Sequence, residues 1–184
     1  MSDPWNEVVE FWTEAGSRRW FVKDPAFDGA IRTRFETLHM TASRGELAKW
    51  DGTARGALAL LLLTDQFPRN LYRGSAHAFA TDPMARAIAD KAVAAGIDQQ
   101  VSPELRPFFY LPFEHAERIE DQDRSVALCE AHRTASGDEG TLKWALVHRD
   151  IIVRFGRFPH RNTALGRLTT PQEQAFLDEG GFSG

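Results

Sequence analysis

The groups best suited to chemistry in this 184-residue sequence are two histidines with carboxylates close by. His148 lies on a stretch from about Gly140 to Phe155 in which Trp144, Val147, Ile151 and Phe155 recur at helical spacing, so its imidazole falls in the middle of an apolar stripe. His115 falls on a second stripe, Phe108, Leu111 and Ile119, with Glu114 and Glu117 beside it. A buried imidazole needs hydrogen-bond partners; a nearby carboxylate favours its charged form and burial opposes it. Two roles fit. Each histidine is a satisfied core side chain, or His115 or His148 is a general base oriented by Glu114 or Glu117. The catalytic role requires the two rings within about 10 Å of each other.

A second set of groups sits in two loops of similar spelling. Phe67-Pro68-Arg69-Asn70 leads through Arg73 and Gly74 to Asp82-Pro83, and Phe158-Pro159-His160-Arg161-Asn162 leads through Gly166 to Thr170-Pro171. With Arg157, these loops supply Arg69, Asn70, Arg73, His160, Arg161 and Asn162, types that clasp a phosphate or carboxylate through paired N–H donors. The same arginines could instead cap the last carbonyls of the preceding helices, and the asparagines could serve their own turns. Asp65 and Gln66 either join this polar cluster or pair with Arg69, and Asp150 can pair with Arg154 one turn on. From Lys143 to Arg167 there are six Lys or Arg and one acid; from Glu104 to Asp123 there are six acids and two arginines. Two such segments can neutralise each other or leave a polar cleft between them.

Several chemistries are excluded. His148-Arg149-Asp150 spells a kinase triplet, but the position five past the aspartate is Phe155, not Asn, and no glycine-rich phosphate loop accompanies it. Gly-x-Ser-x-Gly, a Walker loop and His-Glu-x-x-His are absent. His115, His148, Glu114 and Asp150 have metal-binding types without a spacing that requires a metal, so no metal or cofactor is expected. Cys129 is the only cysteine, which rules out an internal disulfide and a cysteine-clustered zinc site. A charge balance of 22 − 26 = −4 argues against a nucleic-acid binder. The longest apolar run, Ala57 to Leu63, is too short for a bilayer, and the acidic start has no signal-peptide character, so a cytoplasmic location is expected. Trp20-Phe21 and Phe182, near element ends, could form a homodimer patch.

Helices must position these groups. Asp3-Pro4 opens a helix to Gly16, and Asp24-Pro25 opens another with the stripe Phe27, Ile31, Phe35 and Leu38. A Leu-rich helix from Thr53 to Phe67 is apolar on several sides, hence central, and Pro68 should stop it. Asp82-Pro83 opens a helix to Gly96. Ser102-Pro103 opens one that Pro107 and Pro112 should kink or break near Leu111. Helices follow over about 123–135 and 140–155, and Thr170-Pro171-Gln172-Glu173 is a capping box for a short last one. No segment alternates with period two, so no sheet is expected. The short connections favour antiparallel hairpins within one domain over 1–184.

The long motifs Leu63-Thr64-Asp65-Gln66-Phe67-Pro68-Arg69-Asn70, Tyr72-Arg73-Gly74, Ala78-Phe79-Ala80-Thr81-Asp82-Pro83, Phe108-Phe109-Tyr110-Leu111-Pro112-Phe113-Glu114-His115 and His148-Arg149-Asp150-Ile151-Ile152 occur in this order, followed by Arg154-Phe155-Gly156-Arg157-Phe158-Pro159-His160-Arg161-Asn162. Together they resemble the bacterial family called domain of unknown function 924, from about Trp5 to the final glycines. Thr64 stands where that family often shows Leu, and His115-Ala116-Glu117 where it often shows His-Ser-Glu, which removes one hydroxyl. The resemblance implies a tetratricopeptide-like, right-handed stack of about seven to nine helices, and it brings no assigned reaction.

Three functional readings follow. The first is a binding module that takes an anionic small molecule or a peptide terminus in an Arg/His-lined cleft. The second is a hydrolase or lyase acting on an anionic metabolite, with a histidine base, a glutamate partner and an arginine clamp. The third is a charged cluster that only joins helices in a protein-interaction scaffold. The ligand readings require the fold to gather the two loops and the histidines into one hollow.

Overall fold

The computed structural model describes residues 3–182, and every regular element among them is helical; no strand occurs. The chain divides into two compact units. The first takes in residues through Arg73 together with His77–Pro112, and the second takes in Gly74–Ala76 and the chain from Phe113 onward.

The first unit contains α1 (Pro4–Ala15), the single turn α2 (Ser17–Trp20), α3 (Pro25–Ser43), α4 (Ala54–Leu61), α5 (Phe67–Leu71) and α6 (Asp82–Ala94). Asp24 caps α3 as expected, accepting from the Ala26 and Phe27 amides. Asp3 makes no such cap. Asp82 lies inside α6 and serves a different partner, described below. Helix α4 is buried from Gly56 through Leu61, so the central placement read from its apolar residues is correct. Val8, Val9 and Trp12 of α1 and Phe27, Ile31 and Phe35 of α3 complete this core with Phe67, Phe108 and Phe109.

Pro68 does not stop the Leu-rich helix. Residues Leu62–Gln66 form a π-turn, in which the Phe67 N–H reaches back five residues to the Leu62 carbonyl, and α5 continues with Pro68 in its first turn. The wider turn and the missing proline N–H release carbonyls that an α-helix would satisfy internally. Side chains replace those donors. His39 Nδ1 lies 2.8 Å from the Leu63 carbonyl, the Thr81 hydroxyl donates to Thr64 O at 2.5 Å, and Arg69 donates to Asp65 O.

From Ser102 on, the expected helix is replaced by short turns, Arg106–Phe109 and α7 (Leu111–Glu114), because Pro107 and Pro112 each remove a donor and crowd the preceding turn. In the second unit α8 (Ile119–Ser136) and α9 (Glu139–Phe155) form a hairpin through Gly137, whose φ of 79° suits glycine. Asp138 caps α9 through the Gly140 and Thr141 amides. Helix α10 (Pro171–Asp178) carries the complete capping box of Thr170 and Glu173. Ile151, Ile152 and Phe158 form this unit's core, with Ile119, Val147, Phe155, Phe176 and Phe182 packed on it. The buried face of α9 is Ala145, His148, Ile151 and Ile152. Trp144, expected on that face, is 49% exposed, so the buried stripe is rotated by about one residue.

Candidate functional site

The five first-unit candidates are joined to carboxylates of their own unit. The π-turn turns Asp65 and Gln66 into the protein, where Gln66 Nε2 donates to Asp65 Oδ2 at 2.6 Å. Arg69 grips Asp82 with two N–H groups at 3.0 and 3.1 Å and lies 3.3 Å from Asp65 Oδ1. Burial opposes the Arg69 charge, but the two carboxylates hold its pKa above the ordinary value. Asn70 and Arg73 both donate to Asp28, Asn70 at 2.8 Å and Arg73 at 2.7 and 3.0 Å. These cations therefore neither cap helix ends alone nor stand apart from acids.

In the second unit, two guanidinium–carboxylate pairs meet on Asn162, which is fully buried. Arg157 holds Glu173 at 2.6 and 2.9 Å and donates to the Leu168 carbonyl. Arg167 holds Glu117 at 2.6 and 2.9 Å. Asn162 accepts from Arg167 Nε at 2.9 Å and donates to Glu173 Oε2 at 3.2 Å. Glu117 also accepts the Phe158 N–H at 2.8 Å. Hydrogen bonds from Arg157 and Thr170 lower the Glu173 pKa to about 2, against a smaller opposing effect of burial. For Glu117 burial is the largest influence and raises the pKa, but Arg167 and the Phe158 amide together outweigh it. Arg157, Asn162 and Glu117 thus serve to fasten the 157–173 loop.

That fastening positions a histidine cluster. Gln122 of α8 donates to the Glu114 and Ala116 carbonyls at 2.6 and 2.7 Å, and Arg161, only 6% exposed, donates to the His115 carbonyl at 3.0 Å. The turn that carries Glu114 and His115 is held from both sides. Across it, His148 Nδ1 lies 2.8 Å from the Trp144 carbonyl and 3.0 Å from Glu114 Oε1, both groups being nearly fully buried. A carbonyl only accepts, so Nδ1 carries the ring proton and Nε2 is the basic nitrogen of the neutral ring. The His115 and His148 ring centroids are 6.2 Å apart, inside the distance required of a shared site. Phe158 lies 5.5 Å from His148 and 5.6 Å from His160, and the Arg161 guanidinium sits 4.6 Å from the Phe158 ring centroid.

Two expectations on α9 fare differently. His148 is buried, as its stripe implied. Asp150 is exposed, and Arg154 lies over the Phe155 and Phe176 rings. Among the described residues, no group of three or more His, Cys, Asp or Glu is arranged to hold a metal. Burial and the nearby Glu114 push the Cys129 thiol up to about 12, so it remains protonated. Sequence reasoning missed Arg167, whose partner Glu117 is distant in the chain, and Gln122, which serves backbone carbonyls of the preceding turn, and it read Phe182 only as a surface aromatic. The Phe182 ring lies 4.4 Å from His148 and 5.2 Å from His160. The Thr170 capping box signalled one role of Glu173 and hid its pairing with Arg157.

No described helix is long and apolar enough to cross a membrane. A search of curated proteins returns no match. The chain is similar to a solved structure of the protein of unknown function ATU0120 from Agrobacterium tumefaciens, with 50% identity over 96% of this chain and 97% of that one and a TM-score of 0.90. The family described as bacterial protein of unknown function, DUF924, matches residues 8–181. With its motifs in order and nearly its whole length covered, the chain belongs to the DUF924 family.

Proposed function

We propose that the second unit binds an anionic small molecule or a peptide carboxyl terminus through His115, His148, His160 and Arg161. The observation that carries this reading is the placement of His148, His160 and a nearly buried guanidinium around Phe158, with the His115 ring 6.2 Å from that of His148. Guanidinium and protonated imidazole N–H groups suit a carboxylate or phosphate better than any neutral ligand, and His148 donates to one only once Nε2 is protonated, its Nδ1–H being turned to the Trp144 carbonyl. Arg157 and Asn162 act as supports in this reading, because Glu173 and Arg167 engage them. The test is a histidine-labelled NMR titration with acetate. Shifts confined to His115, His148 and His160, with His39, His77 and His132 unmoved, are the expected result. Unmoved site histidines overturn the reading.

A second reading, a hydrolase or lyase, draws on one specific contact, the 3.0 Å approach of Glu114 to His148 Nδ1. That contact would orient the ring with Nε2 as base and offset the charge it gains on taking a proton. Under this reading the protein hydrolyses 4-nitrophenyl acetate above the imidazole background, and His148→Gln removes the excess. Background rates in the native protein contradict it.

A further inference from the structure

We infer that the place held by the Phe182 side chain, against His148 and His160, is a ring subsite, and that the ligand of the second unit is an aromatic carboxylate whose ring takes the place of Phe182. The inference rests on the anion-binding reading above and adds the chemical class of the ligand.

Phe182 reaches this place through a turn built for it. After α10 the Gly180 amide bonds Leu177 O at 3.1 Å and the Gly181 amide bonds Phe176 O at 2.9 Å. Gly180 has φ of 80°, and a Cβ on Gly181 would stand 2.5 Å from Phe176 O, so this turn requires glycine at both positions. The turn aims the next side chain at the imidazoles. The Phe182 ring then meets His148 at 4.4 Å and 64°, His160 at 5.2 Å and 77°, and Trp144 at 6.1 Å and 52°. All three neighbours are themselves rings, and ring-on-ring contacts of this kind are favourable without being specific to one partner. Another ring of the same size makes the same contacts.

Phe182 remains only half-buried, so its seat borders solvent. It also touches two of the imidazoles that the anion-binding reading assigns to the carboxylate. A ligand engaging both histidines must therefore meet the Phe182 ring or displace it. A short chain between ring and carboxylate lets one ligand fill this seat and still meet the two imidazoles, whose centroids lie 4.4 and 5.2 Å from that of the ring. In the resting protein the chain's own side chain competes with such a ligand and lowers its apparent affinity in proportion to the seat's occupancy.

The experiment compares acetate with 3-phenylpropanoate, and with a tripeptide ending in phenylalanine, in wild type and Phe182→Ala, by histidine NMR titration of the full chain. Removing the resident ring should tighten 3-phenylpropanoate binding by about tenfold while leaving acetate within about twofold. Tight binding of the tripeptide as well assigns the source of the carboxylate to peptide termini; binding of the free acid alone assigns it to a small molecule. Should Phe182→Ala fail to fold, Phe182→Val, which still vacates most of the seat, takes its place in the same comparison. An equal response of both acids to the substitution, or weaker 3-phenylpropanoate binding, overturns the ring subsite. If acetate still moves the site histidines in that case, the anion-binding reading survives; if neither acid moves them in either protein, both fall.

Discussion

Arg157 illustrates how a cation that looks available in a sequence is committed by folding. Its guanidinium meets both oxygens of Glu173, whose side chain is 3% exposed, and the same carboxylate receives Asn162 and the Thr170 amide. Removing Arg157 leaves a buried carboxylate with its strongest donor gone. Arg157→Ala should therefore lower stability by at least about 1 kcal/mol in urea unfolding at neutral pH, as expected for a broken buried network. The pH dependence has a definite sign. Glu173 titrates near 4.5 when free and is lowered to about 2 in the folded protein, chiefly by Arg157. Its contribution is complete above the unfolded value and is lost as pH falls toward the folded one. Glu173→Gln should consequently be less stable than wild type at pH 7, and the gap should close between about pH 4.5 and about pH 2. A gap that stays constant through that window would show that the charge on Glu173 is irrelevant.

At the scale of elements, the π-turn decides what the first unit's polar residues can do. It turns Asp65 inward and leaves Thr64 O to the Thr81 hydroxyl. Thr81→Val should destabilise the fold by about 1–3 kcal/mol, because a buried carbonyl loses its donor. Pro68→Ala in that background should recover part of the loss, since the restored N–H at 68 can serve a released carbonyl; thermal melts of the single and double variants test this. Helix α4 makes a separate prediction. A Cβ at Gly56 would lie 2.2 Å from the Trp50 carbonyl, and backbone cannot yield as a side chain can. Gly56→Ala should cost roughly 1–3 kcal/mol as overpacking despite the better helix propensity of alanine, read as a lowered urea midpoint. These elements also mark what the sequence disclosed. Asp24-Pro25, Thr170-Pro171-Gln172-Glu173 and the Leu run announced α3, α10 and α4, because caps and apolar periodicity are local signals. Pro68 misled because a π-turn has no local signature; it is stabilised by His39 and Thr81, far off in the chain. The His148 stripe was legible because Val147, Ile151 and Phe155 recur at helical spacing around it. The pair Arg167–Glu117 depends on tertiary approach, which no spacing along the chain encodes, and Gln122 serves the Glu114 and Ala116 carbonyls, which have no side-chain signature.

At the scale of the whole molecule, six carboxylates share one sign. Asp24, Glu46, Glu117, Glu130, Asp138 and Glu173 all titrate below their ordinary values in the folded protein. Each binds a proton more readily in the unfolded chain, so each removes stability as pH falls. Glu46 and Glu130 are surface groups whose pairs contribute little, and Asp24 and Asp138 are partly exposed, which leaves Glu117 and Glu173 as the main terms. His39 has the same sign by a different route. Burial lowers its pKa from 6.5, outweighing the help of the Leu63 carbonyl and Glu36, so the folded ring stays neutral where the unfolded one gains a proton. Its contribution is therefore complete above about pH 6.5 and fades below it, earlier than those of the six carboxylates. His39→Gln keeps a donor for Leu63 O and cannot titrate. Relative to wild type, this variant should show a constant stability difference above about pH 7 and a gain that grows as pH drops from about 6.5 toward 5.5. Parallel stability curves for the two proteins would mean that His39 binds its proton equally in both states, and that the π-turn carbonyl is held by a group whose charge does not matter.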